Sequence, residues 1–219
     1  MEYSKIDKLG VNPSLLGFGC MRFPKKEDGT IDEVEAERML DHAIESGVTY
    51  IDTAYPYHDG ESEPFVGRVL KKYKREDFYL ATKLPMFKID SLEQAKEIFE
   101  EQMKRLDVDY VDFYLLHALN KDTWKKVIDL NIIPYCEELK KQGRIKNFGF
   151  SFHDDYEVFE EIINYRDWDF CQIQLNYIDT DIQAGMKGYK LTEEKNVPLV
   201  IMEPIKGGAL ASLSNDIEQ

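Results

Sequence analysis

Cysteine is scarce in this chain. Only Cys20, Cys136 and Cys171 occur among 219 residues, odd in number, widely spaced and without a C-x-x-C pair. That pattern excludes a disulfide framework and the ligand spacing of a zinc or iron-sulfur site, and the three read as reduced, buried thiols. Basic residues are outnumbered, 28 Lys and Arg against 42 Asp and Glu, for a formal charge of -14. A polyanion would meet net repulsion, so neither nucleic acid nor an anionic membrane is expected as a partner. No apolar run approaches the roughly 20 residues of a membrane span. Met1-Glu2-Tyr3-Ser4-Lys5 has no signal-peptide pattern, and a cytoplasmic protein is expected. Also missing is G-x-G-x-x-G after the first apolar run, because Gly17 and Gly19 are followed by Arg22; a Rossmann-type site loses its principal motif.

What is present is an alternation of strand and helix signals along the whole length, with no internal repeat. Apolar runs at 15–20, 48–53, 78–83, 110–117, 145–151, 170–175 and 198–202 read as seven strands. Asp32 with Glu35, and Ser91 with Gln94, mark capped helix starts, and Ala36, Met39, Leu40, Ala43 and Ile44 recur at helical spacing until Gly47. The helical stretch 124–142 is expected to divide near Pro134, where the ring removes a backbone donor. The polar tail from Ser212 is expected to begin a further helix. Crossover helices of this length demand parallel pairing, so the fold class expected is α/β, a TIM-type (β/α)8 barrel that is incomplete, with about seven βα units in one domain spanning 1–219. A full barrel usually needs about 250 residues.

In such a barrel the carboxyl ends of the strands form the face that carries chemistry. Asp52, Tyr57, Lys83 and His117 all fall at, or a few residues past, the ends of strands two, three and four. A lysine beside a tyrosine is expected to lower the phenol pKa from about 10 toward the range of a working proton donor. Singly, each has a blander reading: Asp52 a turn cap, Lys83 a surface lysine, His117 a satisfied near-core imidazole. Their joint position favours function. His42, His58 and His153 read as structural, with His58 and His153 at the pocket rim. Lys206-Gly207-Gly208, after strand seven, fits a phosphate-holding loop with two glycines that permit close backbone approach, or else an ordinary turn.

Asp52-Thr53-Ala54-Tyr55-Pro56-Tyr57, Gly60-Glu61-Ser62-Glu63, Ala81-Thr82-Lys83, Leu115-Leu116-His117, Gly149-Phe150-Ser151, Gln172 and Glu203-Pro204-Ile205-Lys206-Gly207-Gly208 together resemble, in order and spacing, the signature of the aldo-keto reductases. The resemblance covers essentially the whole chain. It implies an NADP(H)-dependent oxidoreductase that reduces a small aldehyde or ketone. In that reading Tyr57 is the general acid, Lys83 lowers its pKa, Asp52 pairs with Lys83, and His117 hydrogen-bonds the carbonyl oxygen. Ser151 and Gln172 would hold the nicotinamide amide, and Gly19, Cys20 and Met21 would line the pocket beside it. Met202 stands where many relatives place an aromatic that stacks on the nicotinamide; its sulfur can pack on a ring instead. Glu203, Pro204, Ile205, Lys206, Gly207 and Gly208 would supply the remaining cofactor loop.

The resemblance also implies an eighth strand, basic residues for the adenosine 2′-phosphate, and a C-terminal segment that shapes the substrate pocket. None of these is written before Gln219, and the reading is of a barrel truncated after its seventh strand. The wording of residues 17–23, 149–153 and 202–204 is most similar to a prokaryotic branch whose longer members end in a ferredoxin-like extension, absent here. Self-association through the open barrel edges is expected. Two other readings stay open: an inactive fragment of a longer enzyme, and a non-catalytic nucleotide-binding or regulatory subunit of the same fold.

Overall fold

Alternating apolar runs and amphipathic helices give a single parallel sheet in which each strand lies beside its sequence neighbour. The strands are β1 (Gly17–Gly19), β2 (Tyr50–Asp52), β3 (Tyr79–Leu84), β4 (Val111–Leu119), β5 (Ile145–Phe152), β6 (Phe170–Gln174) and β7 (Leu199–Met202). They are joined by α1 (Glu33–Glu45), α2 (Ser62–Leu70), α3 (Leu92–Leu106), α4 (Lys121–Asp129), α5 (Ile132–Lys141), α6 (Tyr156–Tyr165) and α7 (Gly185–Glu194). This computed structural model describes residues 1–211, and the helix expected from Ser212 lies outside them. Among the described residues, seven strands of an incomplete (β/α)8 barrel are therefore in place, the first six each followed by helix, with β1 and β7 at the two ends of the sheet. The end strands differ from the interior ones: every residue of β6 is buried, whereas every residue of β7 is only half-buried.

Side-chain alternation along the strands separates two cores. Tyr50, Ala81, Phe113, Leu115 and Phe170 point to the concave face and form one cluster, while Ile51, Leu80, Tyr114, Leu116, Phe148, Phe150 and Cys171 face the helices in the main core. The amino end of the concave core is plugged by an N-terminal ribbon that was not legible as such. Its bridges Tyr3 to Ser14 and Ile6 to Val11 are antiparallel, and Leu9 and Val11 pack on the inner cluster.

Three local expectations needed correction. The first strand is shorter than 15–20, because Leu15 and Leu16 are exposed and only residues from Gly17 pair with β2. The Asp32 carboxylate caps α1 by accepting from the Glu35 N–H, but Glu35 does not return the bond; its carboxylate binds Arg38 at 2.6 and 2.8 Å. The 124–142 helix does divide, yet the break is at Asn131, which adopts a left-handed φ of 54°, and Pro134 sits in the first turn of α5 where a missing N–H costs no intrahelical bond.

Candidate active site

The period of two that fills the inner core also sets the site. Asp52 lies two residues beyond Tyr50, Lys83 two beyond Ala81, His117 two beyond Leu115 and Gln172 two beyond Phe170, so each follows an inner-core residue on the same face toward the carboxyl end. Near His117 the β4–β5 register slips between Leu116 and Leu119, and Ala118 takes a φ of 52°. Bulges of this kind re-aim a side chain beside a site. The displaced Ala118 N–H donates to Ser151 Oγ at 2.8 Å, which ties β4 to β5.

Lys83 is the centre of the group. Only 1% exposed, it is not the surface lysine of the blander reading. Its ammonium donates to the Asp52 carboxylate, to the Thr53 carbonyl at 2.9 Å and to Tyr57 Oη at 3.3 Å, and it lies 4.9 Å from the centre of the Tyr57 ring. Burial by itself would depress the Lys83 pKa, but Asp52 and then Tyr57 outweigh it, and the ammonium is held above the ordinary lysine value. Tyr57 comes from the short turn Tyr57–Gly60 after β2, in which His58 and Asp59 have left-handed φ values of 51° and 57°. Its ring meets His117 edge to face at 5.8 Å, and the Phe87 ring lies 5.7 Å from that of His117.

The expected lowering of the Tyr57 pKa is not what this geometry gives. Burial pushes it up more strongly than Lys83 pulls it down, and Asp52 adds to the upward push, leaving the phenol above its usual value. Tyr57 is thus a neutral O–H donor at physiological pH. Burial, and then the nearby Lys83 ammonium, force the His117 pKa well below the ordinary imidazole value. His117 is therefore neutral, and its buried Nδ1 has no partner.

The nicotinamide residues expected from sequence fall beside this group. Gln172 Nε2 donates to Asp52 Oδ2 at 3.3 Å, while Gln172 Oε1 is buried and unpartnered. An orphaned acceptor there fits an amide N–H, and Ser151 keeps its own hydroxyl hydrogen free to donate. Gly19 is exposed and Met21 is 53% exposed, whereas Cys20 has no exposed surface and packs in the main core. Met202 ends β7 half-buried.

After it, Glu203, Pro204, Ile205, Gly207 and Gly208 are exposed around the turn Lys206–Gly208, with φ of 66° at Gly207 and 99° at Gly208. Lys206 is less free than expected. Its ammonium reaches both oxygens of Asp179, at 3.1 and 2.8 Å, and with Asn176 holds that carboxyl below its usual range. Arg22, overlooked in the sequence, lies against this turn, since a Cβ on Gly207 would meet its guanidinium carbon at 2.8 Å. Its signal was position alone: the one cation directly after Gly19-Cys20-Met21. His58 is not merely at the rim; its Nε2 accepts the Phe23 N–H at 3.1 Å, joining the loops after β1 and β2. His153 is exposed.

In sequence and fold the chain is similar to known aldo-keto reductases. A probable aldo-keto reductase from Glycine max is 32% identical over 155 residues, a match spanning 67% of this chain and 44% of that protein. The structure of an aldo-keto reductase from Bacillus halodurans in its holo form superposes with a TM-score of 0.78 at 30% identity, covering 98% of this chain and 71% of that one. An aldo/keto reductase from Klebsiella pneumoniae, solved with NADP and acetate, shares the fold with a TM-score of 0.70 at 22% identity, over 92% of this chain and 68% of that one. The aldo/keto reductase family model matches residues 15–219, and the chain belongs to that family of oxidoreductases.

Proposed function

We propose that this chain carries the reducing centre of an NADP(H)-dependent carbonyl reductase acting on small aldehydes or ketones, with Tyr57 as general acid. The observation that carries the proposal is the buried Lys83 ammonium bonded at once to Asp52, the Thr53 carbonyl and Tyr57 Oη. When bound, NADPH supplies the hydride that adds to the carbonyl carbon. Tyr57 Oη gives its proton to the carbonyl oxygen as that oxygen gains electron density, and the phenolate left behind is stabilised by Lys83 until it regains a proton from solvent. Neutral His117 offers one ring N–H to the same oxygen and orients the substrate. Asp52 keeps Lys83 charged and in place, and in the reverse direction Tyr57 acts as base. The phenol's high pKa favours the protonated form that reduction requires.

The cofactor is assigned to Gln172 and Ser151 at the amide end and to the turn Lys206–Gly208 with Arg22 at the phosphate end. The unpartnered Gln172 Oε1 and the open backbone at Gly208 support this assignment. Titration with NADPH, followed by NADPH oxidation with a panel of small aldehydes, tests the reading. Tyr57→Phe is expected to lower turnover by at least about 100-fold with cofactor affinity nearly unchanged. Near-wild-type turnover in that variant would refute the assignment. Binding of NADPH without turnover in the wild type would favour a nucleotide-binding subunit instead.

A further inference from the structure

The Gly60-Glu61-Ser62-Glu63 motif has no part in the chemistry above, and Glu63 lies outside the barrel wall, yet it is completely buried. Glu63 Oε1 accepts from Thr82 Oγ1 at 2.6 Å and from Gln102 Nε2 at 2.9 Å. Gln102 Nε2 also donates to the backbone carbonyl of Lys83 at 3.0 Å, and its Oε1 accepts from Tyr114 Oη at 2.8 Å. On its other side, Glu63 Oε2 faces Arg105 Nη1 at 3.6 Å. Arg105 Nη1 points at the carbonyls of Tyr55 and Gly60, both at 3.4 Å, and its guanidinium stacks 4.2 Å from the centre of the Tyr55 ring. Those two carbonyls flank Tyr57. Glu101 anchors the far side, accepting from Arg105 Nη2 at 2.6 Å and from Tyr55 Oη at 2.8 Å.

One carboxylate therefore joins two arms, one ending on the Lys83 backbone and the other gripping both ends of the turn that carries Tyr57. The helices are close enough for this only because Gly67 has no side chain: a Cβ there would sit 2.6 Å from the Leu106 carbonyl. A buried carboxylate is costly unless hydrogen-bonded, and burial raises the Glu63 pKa despite Thr82, Gln102 and Arg105. Packing alone would be served more cheaply by an apolar residue.

We propose that Glu63 and Arg105 are positioning residues that set the Tyr57–Lys83 contact from outside the barrel, Glu63 through the Thr82–Gln102–Lys83 arm and Arg105 through the carbonyls at both ends of the Tyr55–Gly60 turn. The role rests on the proposed function of Tyr57 and Lys83. Because neither residue touches substrate or cofactor, their loss acts on the chemical step and leaves ground-state binding in place.

The test uses the full chain with Glu63→Leu, Glu63→Gln, Arg105→Met and Arg105→Lys, read by steady-state kinetics per folded molecule and by backbone hydrogen exchange. Glu63→Leu and Arg105→Met are expected to lower kcat by about 10-fold or more, in line with the sensitivity of catalysis to misplacement near 1 Å, with KM and NADPH affinity within about twofold. Exchange in 55–61 is expected to quicken while that of β5 and β6 does not. Glu63→Gln keeps an acceptor for Thr82 and Gln102, and Arg105→Lys keeps the charge, so each is expected to recover part of the loss. Should Glu63→Leu not fold, Arg105→Met, whose side chain is partly exposed, decides. Unchanged exchange in 55–61, or a rise in KM as large as the fall in kcat, would overturn the proposal. A wild type that reduces no carbonyl would sink the functional reading, and exchange would still decide whether the two residues hold the turn.

Discussion

Replacing Lys83 with Met separates a buried ion pair from ordinary packing. Methionine fills most of the lysine volume, so the change removes charge and three hydrogen bonds without opening a large cavity. Asp52, 8% exposed, would keep only the 3.3 Å contact from Gln172 on one oxygen, and the other would lose its partner. Removing one member of a buried pair typically costs about 3 to 5 kcal/mol, a third or more of the stability of an average domain. Urea unfolding of wild type, Lys83→Met, Asp52→Asn and the double variant gives the cycle. Lys83→Met is expected to lower the unfolding free energy by that amount, seen as a lower midpoint at unchanged m-value, and the double variant to cost less than the sum of the singles by about 2 kcal/mol, since it leaves no charge unpaired. The Tyr57 pKa should rise further, because Lys83 is what draws it down against burial and Asp52. A loss below about 1 kcal/mol, or additive singles, would mean that the site is wet enough to screen the pair and that the electrostatic account of Tyr57 is wrong.

Since burial holds the Tyr57 pKa above the usual tyrosine value, reductive turnover is expected to persist through about pH 9 and to fall only above about pH 10; an alkaline limb centred below pH 9 in kcat would contradict this. The depressed His117 pKa contributes stability that is present above the unfolded imidazole value near 6.5 and is lost as pH falls through the folded value, so the wild type should lose up to about 1.4 kcal/mol per pH unit below 6.5 that His117→Gln does not, by urea unfolding at successive pH values. The half-buried β7 and the exposed Leu15 and Leu16 beside β1 leave strand edges and apolar surface uncovered among the described residues, so the 219-residue chain is expected to self-associate. Sedimentation showing a monomer at tens of micromolar would refute that expectation.

The inner-face residues were legible because they break a rule that is visible in one dimension. A strand buried on both sides should be nearly all apolar, and a lone acid, lysine or histidine at its carboxyl end is conspicuous. Asp52, Lys83 and His117 stand out in this way. Tyr57 is less conspicuous, lying between Tyr55 and His58, and the resemblance selected it. What decides the chemistry of these groups was not legible. Whether Lys83 or burial controls the Tyr57 pKa depends on depth, and burial, the stronger of the two opposing effects, is not written in the sequence, so the sign was misjudged. The register slip beside His117 is a property of backbone pairing between β4 and β5, with no side-chain marker at Ala118.

The outer network was hidden for a different reason. Helices of this acidic chain carry charged and polar residues on every exposed face, so Glu63, Gln102 and Arg105 look like solvated positions. Gln102 follows Glu63 by 39 residues and no local motif links them. Yet α3 itself held a clue that periodicity could have used. Ala95, Ile98, Phe99, Met103 and Leu106 make its buried stripe, and Gln102, four residues before Leu106 and four after Ile98, falls inside that stripe. A polar residue on the apolar face of a helix must find buried partners or destabilise the fold. Gln102 is therefore found by the same test as the residues inside the barrel, applied with a period of 3.6 instead of two.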